Sequence, residues 1–507
     1  MRSRMFMGLS GSLLLGLAGV SYGAEAVPSQ ATLETQMAAL QAEVAQLRAA
    51  QDDSWMAERR AAEIKTLVRD VLADADTRAS LLQDGMNAGH NGKNFFLASD
   101  NGDFLLNISG QLQMRYVASF QDEESETDED TDESVSVVDD EEELGFVVRR
   151  AKVQFDGHIA DPRLKYIIRL SVDRDDNTVL ADRLVIAYEL ADGLTLWGGE
   201  DKGPFLREEL ISSSKQLAVE RSYMNELFTL DYVQGVGVVW DAMDIVRVHA
   251  MINDGYYSGT GSTRANPFTQ SGLSQTPVDE DGEIIVDDDD IPLDYSESEL
   301  GKDFDNDRTD FAGTARVDVK IAGTWDQAND FTAWDGEEFA AFIGGAVHYE
   351  VGETGDSSFN NNFFSWTVDG SVEVARFNVY GAIVGFHSDM EDGSSAAGAP
   401  AADDVDLYGA VVQAGYQIPV GTGRSIEPFA RYEYIDYDDI FGSDYDNSNI
   451  VTAGMNYYLA KHNAKFTFDV VWALDAIPLS QSGLGLQADD PHGDDQIVLR
   501  AQFQLLF

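Results

Sequence analysis

From Asp103 onward, apolar and polar residues alternate along the chain at period 2. In Phe104–Phe120, the set Phe104, Leu106, Ile108, Leu112, Met114 and Tyr116 alternates with Asn107, Ser109, Gln111, Gln113 and Arg115. In Val147–Ile159, Val147, Val153, Phe155 and Ile159 alternate with Arg150, Lys152, Gln154, Asp156 and His158. In Leu164–Val172, Leu164, Tyr166, Ile168, Leu170 and Val172 alternate with Lys165, Arg169, Ser171 and Asp173. The last stretch, Gln496–Phe507, sets Ile497, Leu499, Ala501, Phe503, Leu505 and Phe507 against Gln496, Arg500, Gln502 and Gln504. Period 2 predicts strands with one apolar face and one polar face. Further candidates lie near residues 179–190, 194–200, 232–241, 244–253, 309–322, 338–351, 362–375, 377–387, 405–417, 424–436, 448–459 and 464–474. Together they make roughly 16 strands, an even number such as a closed antiparallel barrel requires.

The connections alternate as well. Those at 160–163, 191–193, 242–243, 375–376 and 460–463 are short, whereas 121–143, 201–230, 254–308, 388–404 and 475–493 are long. Short turns at one end and long loops at the other, with lipid outside and water inside, describe a transmembrane β-barrel. A soluble sandwich has no reason to hold this asymmetry in phase. The fold class expected is all-β: a 16-stranded antiparallel transmembrane β-barrel over 103–507, preceded by a short helical coiled coil. The connection 322–337 breaks the pattern, being long where a short turn is due.

The amino terminus reads as an export signal over 1–23. Arg2 and Arg4 precede an apolar run, Met5–Val20, and small residues then offer cleavage after Gly23 or Ala26. Residues 28–75 are helical in pattern, with Leu33, Met37, Leu40, Val44 and Leu47 in an a/d seam. One reading is an amphipathic helix packed on a domain. The favoured reading is a short periplasmic coiled coil, because no soluble domain follows. Residues 76–102 are rich in Gly, Asn and Asp and read as a linker.

Composition removes several function classes. The formal net charge is −56, from 90 acids against 34 bases, so no nucleic-acid partner is expected. There is no Cys, which excludes disulfides, zinc thiolates and a cysteine nucleophile. No Gly-x-Ser-x-Gly, His-Glu-x-x-His or Walker loop occurs, and the seven His are scattered. Two loops are very acidic, Asp122–Glu143 and Asp279–Asp310. A solvated loop accounts for both, and surface divalent cations are the alternative. Asp303-Phe-Asp305-Asn-Asp307 starts like a calcium loop but lacks the Gly at the sixth place and the Glu at the twelfth.

The stretch Phe146–Phe228 carries a resemblance. An Arg-Arg pair (Arg149, Arg150) opens a strand, and a Gly-x-x-Lys-x-Pro-Phe turn follows at Gly199, Lys202, Pro204 and Phe205. Next come Glu208, Glu209, Leu210, Ser212 and Ser213, then Glu220, Arg221 and Ser222. These motifs resemble the phosphate-selective porin O/P family, over about 103–507 and most densely in 146–240. A carboxy-terminal Phe on an alternating strand likewise resembles the closing strand of an outer-membrane barrel. The resemblance implies a homotrimer in the outer membrane whose third external loop, here 201–230, folds into the pore. That loop mixes Lys202, Arg207, Lys215 and Arg221 with Glu208, Glu209 and Glu220. The chain is strongly acidic, so the family name does not translate into a phosphate substrate.

The function expected is passive diffusion of small ions and hydrophilic solutes through a water-filled barrel narrowed by that loop. The alternatives are a surface adhesive barrel with cation-binding loops, or an outer-membrane enzyme. No cofactor is expected. The polar faces of the strands offer pore-lining bases: Arg115, Arg150, Lys152, Lys165, Arg169, Arg183, Arg316, Arg431 and Arg500, with Arg247, Lys320 and Lys465 also on those faces. Lumen acids are Asp156, Asp173, Glu189, Asp318, Glu427, Glu433 and Asp469. The partners implied are outer-membrane lipid, two further copies of the chain and the permeating solutes. A cell-wall contact through the amino-terminal helix is left open.

Overall fold

The computed structural model describes residues 37, 39, 41–42, 86–121, 124–128, 133–138, 141–172, 178–256, 311–353, 360–390, 404–437, 447–481, 483–488 and 495–507. The export signal, most of the 28–75 helix and most of 254–310, with its acidic run and Asp303–Asp307, lie outside the described residues. So does Asp173.

The strands in chain order begin with a hairpin, β1 (Met86–His90) and β2 (Phe95–Ser99), and β3 (Phe104–Gln121). A small hairpin follows, β4 (Glu124–Asp128) with β5 (Glu133–Val138). Next are β6 (Glu141–Ile159), β7 (Asp161–Val172), β8 (Val179–Ala191), β9 (Leu194–Lys202), β10 (Tyr232–Ala242), β11 (Val246–Asn253) and β12 (Phe311–Ala322). The second half holds β13 (Ala340–Glu353), β14 (Asn360–Val374), β15 (Phe377–Met390), β16 (Asp404–Tyr416) and β17 (Ile418–Pro419). The last are β18 (Ser425–Asp436), β19 (Asn447–Tyr458), β20 (Ala464–Ala473) and β21 (Gln496–Leu506).

Each long strand pairs antiparallel with the next, and β21 pairs back onto β3 from Ile497↔Phe120 to Leu506↔Gln111. The result is a closed 16-stranded barrel in which β1, β2, β4, β5 and β17 are accessories. Closure leaves the wall without an open edge, the condition for crossing lipid with strands. No helix among the described residues is long and apolar enough to cross a membrane. The segment 76–102, read as linker, contains the β1–β2 hairpin, and β2 pairs with the first half of β3.

The side-chain alternation sorts by face. On β21, Gln496, Arg500, Gln502 and Gln504 are buried inward, whereas Ile497, Leu505 and the terminal Phe507 are exposed on the outside. Val347, Phe364, Val368, Ile383, Phe468 and Trp472 continue the outer apolar surface. Turns at one end are tight because they use left-handed residues: Ala375 and Arg376, with φ of 48° and 72°, close a two-residue hairpin of the type that matches strand twist.

The inner face is not uniformly polar. On β15, β16 and β18, Val384, Phe386, Leu407, Val411 and Ile435 point inward and are at most 4% exposed. They share one buried apolar cluster with Phe205, Leu206, Met224, Leu227 and Phe228 of the 203–231 connection, whose Tyr223–Phe228 turn packs on β16 and β18. The core of this protein therefore lies inside the barrel, between one wall and one loop. Each such side chain removed from water stabilises that docking by about 1.5–3 kcal/mol.

Candidate functional site

The connection 203–231 follows β9 into the lumen. Two short helical turns, Arg207–Leu210 and Tyr223–Phe228, give it shape, the second capped by Ser222 Oγ accepting from Asn225 N at 2.9 Å. Its own motif residues hold it together. Glu208 accepts from Ser222 N at 2.8 Å and from Ser222 Oγ at 2.6 Å. Glu209 pairs with Lys202 at 2.9 Å and Arg221 at 3.2 Å, and accepts from Asn225 Nδ2 at 2.9 Å. Burial raises the Glu208 carboxyl above its ordinary range, against the pull of Arg431 and the Ser222 hydrogen bonds.

The loop is then tied to the wall by its backbone. Arg316 donates to Phe205 O at 2.8 Å, Lys465 to Gln216 O at 2.8 Å, Gln504 to Ser214 O at 3.0 Å and Arg431 to Glu220 O at 3.0 Å. Asp469, paired with Arg500 at 2.8 Å, accepts from Val219 N at 2.8 Å. Such donors and acceptors, all but Gln504 charged, satisfy loop groups that would otherwise be stranded in a dry interior.

Glu220 is the pivot. It pairs with Arg115 at 2.8 Å, Arg149 at 3.1 Å and Arg150 at 2.5 Å, and is itself only 1% exposed. Burial alone would raise its carboxyl, but the guanidiniums of Arg150, Arg149 and Arg115 outweigh burial and hold it well below the ordinary range.

On the far side of this pivot the lumen stays open. A cavity of about 1220 Å³ lies between the loop and the inner faces of β3 and β6–β9, towards the long-loop end. Its bases are Arg115, Arg149, Arg150, Lys152, Arg169, Arg183, Lys202 and Arg221; its acids are Glu143, Asp182, Asp201, Glu209 and Asp231. Asp182 is shared by Lys152 at 2.5 Å and Arg169 at 2.6 Å, while Arg183 pairs with Asp201 at 2.8 Å. Arg169 also bonds the Tyr232 hydroxyl and lies over its ring at 5.4 Å. Two cations to one carboxylate, and three to Glu220, leave this wall with positive charge in excess.

The residues expected to line the pore thus divide. Arg115, Arg150, Lys152, Arg169 and Arg183 meet the cavity. Arg316, Arg431 and Arg500 face inward but are covered by the loop or by the 474–495 connection, with Arg500 donating to Leu484 O at 3.1 Å. Lys165 pairs with Glu189 at 3.1 Å nearer the short-turn end, with half of its side chain exposed. Of the loop residues, Lys202, Glu209 and Arg221 meet the cavity, Lys215 is half-buried, and Arg207, Glu208 and Glu220 are buried as anchors.

The family model for the phosphate-selective porins O and P matches residues 127–505. The chain belongs to the phosphate-selective porin O and P family. The porin is similar in fold to an anion-selective porin from Comamonas acidovorans, at 10% identity and a TM-score of 0.45, over 79% of this chain and 99% of that one. It is also similar to the outer-membrane channel DcaP of Acinetobacter baumannii, at 12% identity and a TM-score of 0.43, over 79% and 97%. A third is Salmonella typhi OmpF in complex with daunomycin, at 13% and 0.43, over 83% and 100%. No curated protein matches. Family and barrel together give the porin a bacterial outer-membrane location and a channel's fold rather than an enzyme's.

Two cavity residues escaped the period-2 reading. The alternation assigns neither Arg149 nor Asp182 to the lumen. The register explains both. Gln113 faces Arg150 and Met114 faces Val148, so Arg149 is the extra residue of a β-bulge. Arg169 faces Arg183 and Leu170 faces Ala181, so Asp182 is another. A bulge lets two neighbours share one face. The signal in the sequence was a pair of adjacent charged residues, Arg149-Arg150 and Asp182-Arg183, inside otherwise alternating strands.

Proposed function

We propose that this porin is a passive channel for small ions and hydrophilic solutes, whose narrow section is the cavity between the 203–231 loop and β6–β9. One observation carries this: the loop packs its apolar side on one wall, and between it and the charge-lined wall to which Glu220 ties it a cavity of about 1220 Å³ stays open. Water-filled space with low-dielectric walls focuses the field of its lining charges. The cationic excess on β6–β9 favours anions there, while most of the acidic excess lies in the loops and acts at the mouth. Mouth charge is screened beyond about 8 Å at physiological salt. Ion selectivity is therefore weak at high salt and shifts toward cations as salt is lowered. The porin works as a homotrimer, with residues 28–75 in the periplasm and no cofactor. Purified protein in a planar bilayer should give discrete conductance steps, and unboiled protein should run on a denaturing gel as a trimer. Absence of conductance from folded, heat-modifiable protein would refute the channel and leave the adhesive barrel.

A further inference from the structure

Residues 323–339 join β12 to β13 at the end of the barrel where the other turns are tight, as at 375–376 and 192–193. This connection does not hang outside. Thr324 and Gln327 start it with a reciprocal capping box, and Gln327 Nε2 donates to Glu373 Oε2 of β14 at 3.0 Å. The chain then enters the lumen: Phe331, Thr332 and Ala333 are at most 3% exposed. Thr332 Oγ1 donates to Glu427 Oε2 of β18 at 3.1 Å, and Asp330 meets His462 Nε2 of the β19–β20 turn at 2.8 Å. Its Ala328 O accepts from Arg207 of the inward loop at 3.0 Å. The wall groups it covers, Glu373 and Glu427 among them, are ones a water-filled lumen would bear, so the segment takes the place of water there.

The segment also carries charge of one sign. Asp326, Asp330, Asp335, Glu337 and Glu338 are acidic, and no Lys or Arg lies between 323 and 339. Asp335, Glu337 and Glu338 are exposed; Asp335 lies 3.5 Å from Arg376 of the next short turn, and no ion pair is seen for Glu337 or Glu338 among the described residues. The cavity towards the other end has an excess of bases. We propose that Gly323–Phe339 is a second, acidic constriction in series with the basic cavity, so that the pore passes ions more easily in one direction than in the other. Two oppositely charged narrow sections in series accumulate mobile ions under one polarity and deplete them under the other. The inference rests on the diffusion-channel reading.

The test is single-channel recording of the full-length protein, inserted in one orientation, in symmetric KCl at equal and opposite voltages. The currents should differ about twofold in dilute salt, where lining charge is focused and unscreened. The difference should vanish at molar salt, where screening acts within about 3 Å. Asp335→Asn, Glu337→Gln and Glu338→Gln together change only exposed side chains and should bring the dilute-salt ratio close to one. Replacing 326–337 by a short Gly-Asn turn should raise the conductance. Heat-modifiable gel mobility reports that both variants fold. A conducting wild type whose ratio is one, or is unchanged in the triple variant, overturns the acidic constriction. Unchanged conductance in the shortened variant overturns its place in the ion path. A folded wild type that does not conduct overturns the channel reading itself.

Discussion

Two halves of the barrel's inner wall begin from the same residue types and end in different roles. On β6–β9, Arg150, Lys152, Arg169 and Arg183 meet an open cavity; Lys152 and Arg169 share Asp182, Arg183 pairs with Asp201, and Arg150 pairs with Glu220 of the loop. On β12 and β18–β21, Arg316, Arg431, Lys465 and Arg500 point inward just as surely, but they donate to loop carbonyls or pair with acids that hold the loop. The difference is where the 203–231 loop lies, and that follows from apolar residues. Leu407, Val411, Val384 and Phe386 belong to a stretch of inner wall on which the Tyr223–Phe228 turn packs, with Met224 and Phe228 meeting beside Val384 at Gly409. An inward arginine is therefore a selectivity residue on the wet wall and a structural one on the dry wall.

The sharpest break of this division is at Glu220, where both walls and the loop meet. Glu220→Gln leaves Arg115, Arg149 and Arg150 without their shared anion. Removing one member of a buried ion cluster costs about 3–5 kcal/mol. The loop should loosen from β3 and β6, and single channels should become larger and noisier; steps as quiet as the wild type's would show that the pivot is dispensable. The same group sets an acid limit. Its carboxyl is held low in the folded protein, so its contribution is present above the ordinary Glu value of about 4.3 and is lost only as pH falls through the lowered one. Loop anchoring through Glu220, read as channel noise, should therefore hold down to about pH 4.

A smaller effect tests the wet wall against the dry one. Replacing Arg169 and Arg183 by Gln should move the reversal potential toward cations at every salt concentration, by a severalfold change in permeability ratio. Arg431→Gln should disturb the loop, read as channel noise, with little change in that ratio. Equal shifts in both variants would erase the distinction between the two walls.

The smallest effect lies at the seam. Gly110 and Phe507 exchange backbone hydrogen bonds at 2.7 and 3.1 Å, and a Cβ on Gly110 would fall 2.2 Å from the Phe507 ring. Because that ring is half exposed, it can turn away, so Gly110→Ala should lower the gel transition temperature by an overpacking cost of about 1 kcal/mol. No change would mean that the ring position is unimportant for closure.

The sequence by itself determined the strands and their number. Period 2 is a local property, and lipid on one side with water on the other forces it on each strand separately. The strands expected at 232–241 and 464–474, for example, lie at Tyr232–Ala242 and Ala464–Ala473. The Arg-Arg and Glu-Glu-Leu motifs also pointed to the right loop. Only the tertiary structure decided which inward charges face water, because that depends on a loop docking across the lumen onto strands some two hundred residues away. It alone revealed Arg149 and Asp182, since a bulge exists only relative to the partner strand's register. It also gave the long 323–339 connection its reason: its contacts, Glu427 and His462, come from strands and turns that closure of the barrel brings beneath it.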